Sequence, residues 1–136
     1  MATKTLLATD ENMDAVHEFV HAQLGDGCPL QLLNQIDLAV EEIYINIAHY
    51  AYAPTTDKVE ITCTVEGAPP AVTVTFKDRG RRFDPLAREV PDLTLSAEDR
   101  QIGGLGIYLT RQFMDEVSYC YEDGQNVLSF KKTLTL

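Results

Sequence analysis

Val59-Glu60-Ile61-Thr62-Cys63-Thr64-Val65 alternates apolar and polar residues, and Gly67-Ala68-Pro69-Pro70 then turns the chain into a second such run, Val72-Thr73-Val74-Thr75-Phe76. Successive strand side chains point to opposite faces, so the pattern predicts an antiparallel pair with one buried and one wet face. A sheet of this kind must cover its apolar side with another layer. Thr3 to Ala8 reads as a short first strand. Asp10 then reads as the N-cap of a first helix, with Val16, Phe19, Val20 and Leu24 on one face and a stop at Gly25-Asp26-Gly27. Leu30, Leu33, Ile36, Leu38, Val40, Ile43 and Ile47 mark a longer second helix, running to about Tyr52 and ended by Pro54. Leu105 to Met114 reads as a third helix opened by glycines. Val117–Tyr121 and Val127–Leu134 form a closing hairpin around Glu122-Asp123-Gly124-Gln125. The expected architecture is α+β, a two-layer α/β sandwich. Its mixed, mostly antiparallel sheet has about five strands, with about three helices on one face.

One domain spanning residues 1–136 is expected, long enough to bury a core. A formal net charge of −10 repels phosphates, which argues against general binding to nucleic acid or anionic membranes and suits a basic protein partner. Apolar runs are broken by charge well short of the ~20 residues that a membrane span needs. Met1 to Thr9 lacks the zones of a signal peptide. Three cysteines, Cys28, Cys63 and Cys120, are widely spaced without a CxxC pair, which favours reduced thiols in a cytoplasmic protein.

Three segments carry candidate chemistry. Glu42 and Asn46 stand at i and i+4, on one face of the second helix. A carboxylate there can take a proton from an attacking hydroxyl, and an amide oxygen is a hard ligand suited to Mg²⁺. An isolated pair of this spacing is far more often just two solvated polar residues. Asp78 closes a buried strand and is followed by Arg79-Gly80. Its carboxylate can accept from the exocyclic amine of adenine, while Gly80 lets the backbone approach the ring; a plain turn is the alternative. Gly103-Gly104-Leu105-Gly106 opens the third helix, where free amides and the helix dipole suit phosphates. It lacks the Gly-Lys-Ser/Thr of a P-loop and the leading strand of a Rossmann turn. Between these segments, residues 86–102 show no stable period, as expected of a loop or lid over a site. Arg79, Arg81, Arg82, Arg88 and Arg100 gather scarce positive charge around the same region, for phosphate, for a partner or for solvent alone. His17 and His21 share a face of the first helix, but no third metal ligand is legible beside them. Tyr44, Tyr50 and Tyr52 read as packing of the second helix.

Glu42-x-x-x-Asn46, Asp78-x-Gly80-x-x-Phe83-Asp84-Pro85 and Gly103-Gly104-Leu105-Gly106-Ile107-x-Leu109 resemble the N, G1 and G2 boxes of the GHKL ATPases. Within that superfamily, the short lid and Phe113-Met114-Asp115-Glu116-Val117-Ser118-Tyr119 look like the bacterial anti-sigma-factor serine kinases. The resemblance covers nearly the whole chain and implies a Bergerat-type sandwich binding ATP and Mg²⁺ under a lid. By carry-over, Asn46 coordinates the metal and Asp78 reads adenine. Gly80 and Phe83 border the nucleotide, Gly103, Gly104, Leu105 and Gly106 meet its phosphates, and Glu42 polarises the hydroxyl of a serine or threonine. The implied partners are an antagonist of STAS type and a sigma factor, and dimerisation stays open. The alternative is a module that sequesters a regulator without phosphotransfer. Departures from the family pattern are Arg82, where relatives often have Gly or Pro, and Tyr50, where they often have His. The closing hairpin has Gln125 and Asn126 in the stretch expected to hold a Thr.

Overall fold

The computed structural model describes residues 1–52, 55–87 and 104–136. β1 (Ala2–Leu7), β2 (Lys58–Glu66), β3 (Ala71–Asp78), β4 (Glu116–Glu122) and β5 (Gln125–Thr133) form one sheet in the order β1-β2-β3-β5-β4. Every neighbouring pair is antiparallel, so the mixed element of the expected sheet is not needed among the described residues. The alternation in β2 and β3 resolves as anticipated. Val59, Ile61 and Cys63 are buried with Val72, Val74 and Phe76, while the intervening threonines face the other side. On that polar face Thr75 and Ser129 exchange a hydroxyl hydrogen bond of 2.7 Å across β3 and β5.

The helices are α1 (Met13–Leu24), α2 (Leu30–Asn46) and α3 (Gly104–Phe113). Val16 and Val20 of α1, Ile36, Val40 and Ile43 of α2 and Ile107 of α3 join the apolar strand residues in one core cluster. Phe76 and Phe130, fully buried on adjacent strands, lie 6.5 Å apart between ring centroids. Each such ring contributes on the order of 1.5–3 kcal/mol by leaving water. Gly25 ends α1 in the left-handed region (φ 72°), which a residue with a side chain rarely adopts. Asp123 and Gly124 both have positive φ, as the two-residue turn between β4 and β5 requires.

Two local expectations change. Asp10 does not cap α1. It begins a single 3₁₀ turn (Asp10–Asn12), and its carboxylate accepts from His49 Nε2 at 2.6 Å. The amide of Asn12, next to the helix start, donates to Leu7 O instead. The second helix does reach the vicinity of Tyr52, but past Asn46 it widens to π spacing over Ile47–Ala51. Such wide turns recur at functional sites. Here the turn carries Tyr50 and Ala51 to the wall of the main cleft. Pro54 and most of the expected lid, residues 88–102, lie outside the described residues.

Candidate functional site

A cleft of about 290 Å³ opens between the C-terminal end of α2, the end of β3 with the segment after it, and the β4–β5 hairpin. This is near the lower bound of about 300 Å³ for small-molecule sites, enough for a base and part of a sugar. Ile43, Ile47, Pro85 and Leu128 give it apolar walls, Tyr50 and Phe83 add aromatic surface, and Asn46, Asp78 and Asn126 bring polar groups.

Asp78 sits at the bottom end of β3 and is only 5% exposed. Its Oδ1 accepts from Gly80 N and from Asn126 Nδ2, both at 2.9 Å. Among the described residues its Oδ2 has no protein donor. Burial pushes the Asp78 carboxyl above the ordinary carboxylate range, and the bonds from Asn126 and Gly80 oppose that rise. The next residues are pinned as well. Arg79 N donates to the Tyr52 hydroxyl at 2.7 Å, and that hydroxyl donates to Lys58 O at 2.6 Å.

Asn126 is the functional residue that sequence reasoning passed over. It is opposite Asp78 in the β3–β5 register. Its Nδ2 donates to Asp78 Oδ1 and, at 2.8 Å, to Arg81 O. Its Oδ1 accepts from Phe83 N at 3.1 Å and from the Tyr119 hydroxyl at 2.5 Å. Two donors and two acceptor positions are thus all used, and one buried amide ties β3, β4, β5 and the Gly80–Phe83 segment together. The stretch expected to lack an adenine-holding residue therefore supplies one that holds the carboxylate. The available signal was an Asn two residues after the Asp-Gly turn, in register with the strand-ending Asp78.

Gly80 also has a structural role, beside the one expected of it. A Cβ there would collide with the backbone of Ala51, and Arg81 N donates to Ala51 O at 2.9 Å. The missing side chain lets β3's exit strap dock on the wide turn of α2, so Gly80 shapes the cleft from behind. Gly106 is comparable. Its missing Cβ makes room for the Glu42 carboxylate, which packs against the first turn of α3. Burial first, and then the neighbouring Glu41 charge, raises the Glu42 carboxyl. Asn46, one turn further along α2, faces the cleft directly, whereas Glu42 stands beside it. Gly104 and Leu105 begin α3, and Gly103 lies outside the described residues.

The remaining expectations divide. Tyr44 and Tyr52 pack as anticipated, Tyr44 being fully buried with its hydroxyl donating to Thr9 O at 2.6 Å. Tyr50 instead lines the cleft, its carbonyl accepting from Arg81 Nη2 at 2.9 Å. Arg82 lines the cleft, and its guanidinium lies 5.0 Å from the centroid of the Tyr121 ring on the hairpin. Arg88 and Arg100 lie outside the described residues.

An antiparallel sheet covered by helices on one face, with a strand-end carboxylate at the base of a helix-walled cleft, is the layout of a histidine kinase-like ATPase domain. The histidine kinase-like ATPase domain family matches residues 6–132, and the chain belongs to that family, the GHKL superfamily of the sequence comparison. It is 32% identical over 116 residues to the serine/threonine-protein kinase BtrW of Bordetella bronchiseptica, covering 85% of this chain and 81% of that one. It is 29% identical over 109 residues to the serine-protein kinase RsbW of Listeria monocytogenes, covering 77% and 69%. Among solved structures it resembles the histidine kinase domain of a blue-light-activated histidine kinase from Erythrobacter litoralis, with a TM-score of 0.54 and 16% identity. That likeness spans 93% of this chain and 64% of the other. No described helix is long and apolar enough to cross a membrane.

Proposed function

We propose that this chain, working as a single domain in the cytoplasm, is an ATP-dependent serine/threonine protein kinase of the anti-sigma-factor type. It phosphorylates an antagonist of STAS type, sequesters a sigma factor, or does both. The observation that carries the reading is the half-buried Glu42 held at the start of α3, one turn from Asn46 at the cleft. A module that only binds has no use for a carboxylate with a raised pKa at that point.

The cleft takes the base and part of the sugar of a nucleotide, with Asn46 on its wall for an ion at the phosphates. With Oδ1 of Asp78 engaged by protein donors, Oδ2 takes the exocyclic amine of adenine, and the apolar walls take the faces of the ring. The Asn46 side-chain amide makes no hydrogen bond among the described residues, and its oxygen would be a hard ligand suited to Mg²⁺. The bound ion supplies charge neutralisation at the phosphates. The residues of this chain do the rest: the amides of Gly103, Gly104, Leu105 and Gly106 orient the phosphates, Gly80 and Phe83 border the base, and Glu42 accepts the proton of the attacking hydroxyl. Phosphoryl transfer of this kind depends on positioning and charge more than on covalent chemistry.

One observation favours a second reading, a regulator-sequestering module without phosphotransfer: Glu42 packs on Gly106 beside the cleft, and is not part of its wall. A transfer assay separates the two. Purified chain, Mg-ATP and the STAS-domain proteins of the same genome are mixed, and phosphoserine or phosphothreonine is sought by mass spectrometry. The kinase reading expects transfer that Glu42→Ala abolishes while ATP binding persists. Tight, ATP-responsive partner binding without transfer supports the module instead.

A further inference from the structure

Away from the cleft, α1 and α2 bring together three side chains that the nucleotide site does not use. His17 and His21 stand one turn apart on α1, and Asp37 on α2 reaches between them. His21 Nε2 lies 2.6 Å from Asp37 Oδ1, and His17 Nδ1 lies 3.4 Å from the same oxygen. One ligand atom from each residue falls within 4.8 Å of the others. The third ligand that the sequence did not reveal is therefore present, supplied by the neighbouring helix.

Two further observations distinguish the cluster from an ordinary helix–helix ion pair. His17 Nδ1 is buried with no hydrogen-bond partner, an arrangement that costs free energy unless something else meets the nitrogen. In addition, ligands held tetrahedrally about 2.0–2.1 Å from zinc are separated from one another by roughly 3.3–3.4 Å. The His17–Asp37 spacing is already at that value. The His21–Asp37 contact needs to open by only roughly 0.7 Å as the ion replaces the proton between them. Side-chain exposures of 20%, 42% and 29% for His17, His21 and Asp37 leave the cluster open to solvent on one side.

We propose that His17, His21 and Asp37 form a binding site for a divalent transition-metal ion, Zn²⁺ foremost, with water in the fourth position. Two imidazoles and a carboxylate are a borderline donor set suited to zinc more than to Mg²⁺ or Ca²⁺, which take oxygen ligands. The ion would staple α1 to α2, the helix that carries Glu42 and Asn46 further along. Burial, and after it the Asp37 charge, raise the Cys28 thiol, which is the rival soft ligand to be tested.

The test uses the full chain with ZnCl₂ in competition with a chromophoric chelator, and with CoCl₂ followed by visible absorption. The proposal expects one ion per chain and the visible bands of four-coordinate Co²⁺, without the near-ultraviolet absorption of a cobalt thiolate. It expects affinity to fall at least tenfold, about 1.4 kcal/mol, in both His21→Gln and Asp37→Asn, and to be unchanged in Cys28→Ser. Circular dichroism checks that each variant is folded, and the half-exposed His21 is the safer substitution. Failure of the wild type to bind one ion at a hundredfold excess overturns the proposal without recourse to any variant. Undiminished binding in folded His21→Gln, or a thiolate band that Cys28→Ser removes, overturns it too.

Discussion

Asn126 on β5 stands opposite Asp78 on β3 and donates its side-chain amide to the Asp78 carboxylate at 2.9 Å, with both residues buried. The pair joins the group proposed to recognise adenine to one that ties the strands together, and substitution separates the two roles. Asp78→Asn keeps an oxygen able to accept from Gly80 N and removes a carboxylate whose ionisation is disfavoured by burial. A carboxyl whose folded pKa is raised makes its ionised form a liability, absent at low pH and growing as pH rises through the folded value. The variant should therefore be at least as stable as the wild type at pH 8, with a smaller advantage at pH 4. Its ATP affinity should drop tenfold or more, about 1.4 kcal/mol. Thermal unfolding at the two pH values, alongside calorimetric titration of ATP with Mg²⁺, checks both halves.

Asn126→Ala should fail on both counts. Its bonds with Phe83 N, the Tyr119 hydroxyl, Arg81 O and Asp78 Oδ1 are lost. Unmet buried polar groups make this a loss of about 2–4 kcal/mol, measured as a shift in the urea midpoint. Asn126→Asp should be worse as pH rises, because two facing carboxylates cannot both ionise cheaply in a buried site. A variant of either kind with wild-type stability would show that the network does not hold the strap after β3.

The two glycines beside the cleft should respond differently to the same change. Alanine at position 80 meets the backbone of Ala51, which cannot swing away, so the strap and the wide turn must separate. The expected cost is about 1–3 kcal/mol of stability. Alanine at position 106 meets the far end of the Glu42 side chain, which can rotate. Stability should change little there, while phosphotransfer falls far more than ATP affinity because the carboxylate has been displaced. Equal thermal shifts in the two variants would contradict this distinction.

Much of the fold could be read from local pattern. Alternation marked β2 and β3, helical period marked α1 to α3, and Asp123-Gly124 marked the last turn, since each depends on residues close in sequence. What escaped depends on register or on packing between distant elements. Asn126 and Asp78 are 48 residues apart, and only the β3–β5 pairing joins them. Asp37 gains its meaning from the angle at which α2 passes α1, and Asp10 was drawn from capping to His49 by a helix that begins later than its sequence suggests. The sequence marks Gly80 as a place where the backbone can near a bound ring, and the structure adds a close approach of backbone to backbone there. The partner is Ala51, which no local pattern specifies.

The final prediction concerns Glu42 and pH. Burial, reinforced by Glu41, raises its carboxyl above the ordinary value of 4.5. As a general base it works only when ionised, so transfer should be present above the raised pKa and disappear as pH falls through it. The acid limb of kcat is then expected at higher pH than an unperturbed glutamate would give. Glu41→Gln removes the like charge that adds to the rise, so the limb should move toward lower pH while the plateau rate is kept. Glu42→Gln should abolish the plateau and leave ATP affinity within a few-fold of the wild type. Single-turnover phosphotransfer from pH 4.5 to 8 measures all three proteins. A limb that stays in place in Glu41→Gln would assign it to another group, and a plateau retained in Glu42→Gln would remove Glu42 from the reaction.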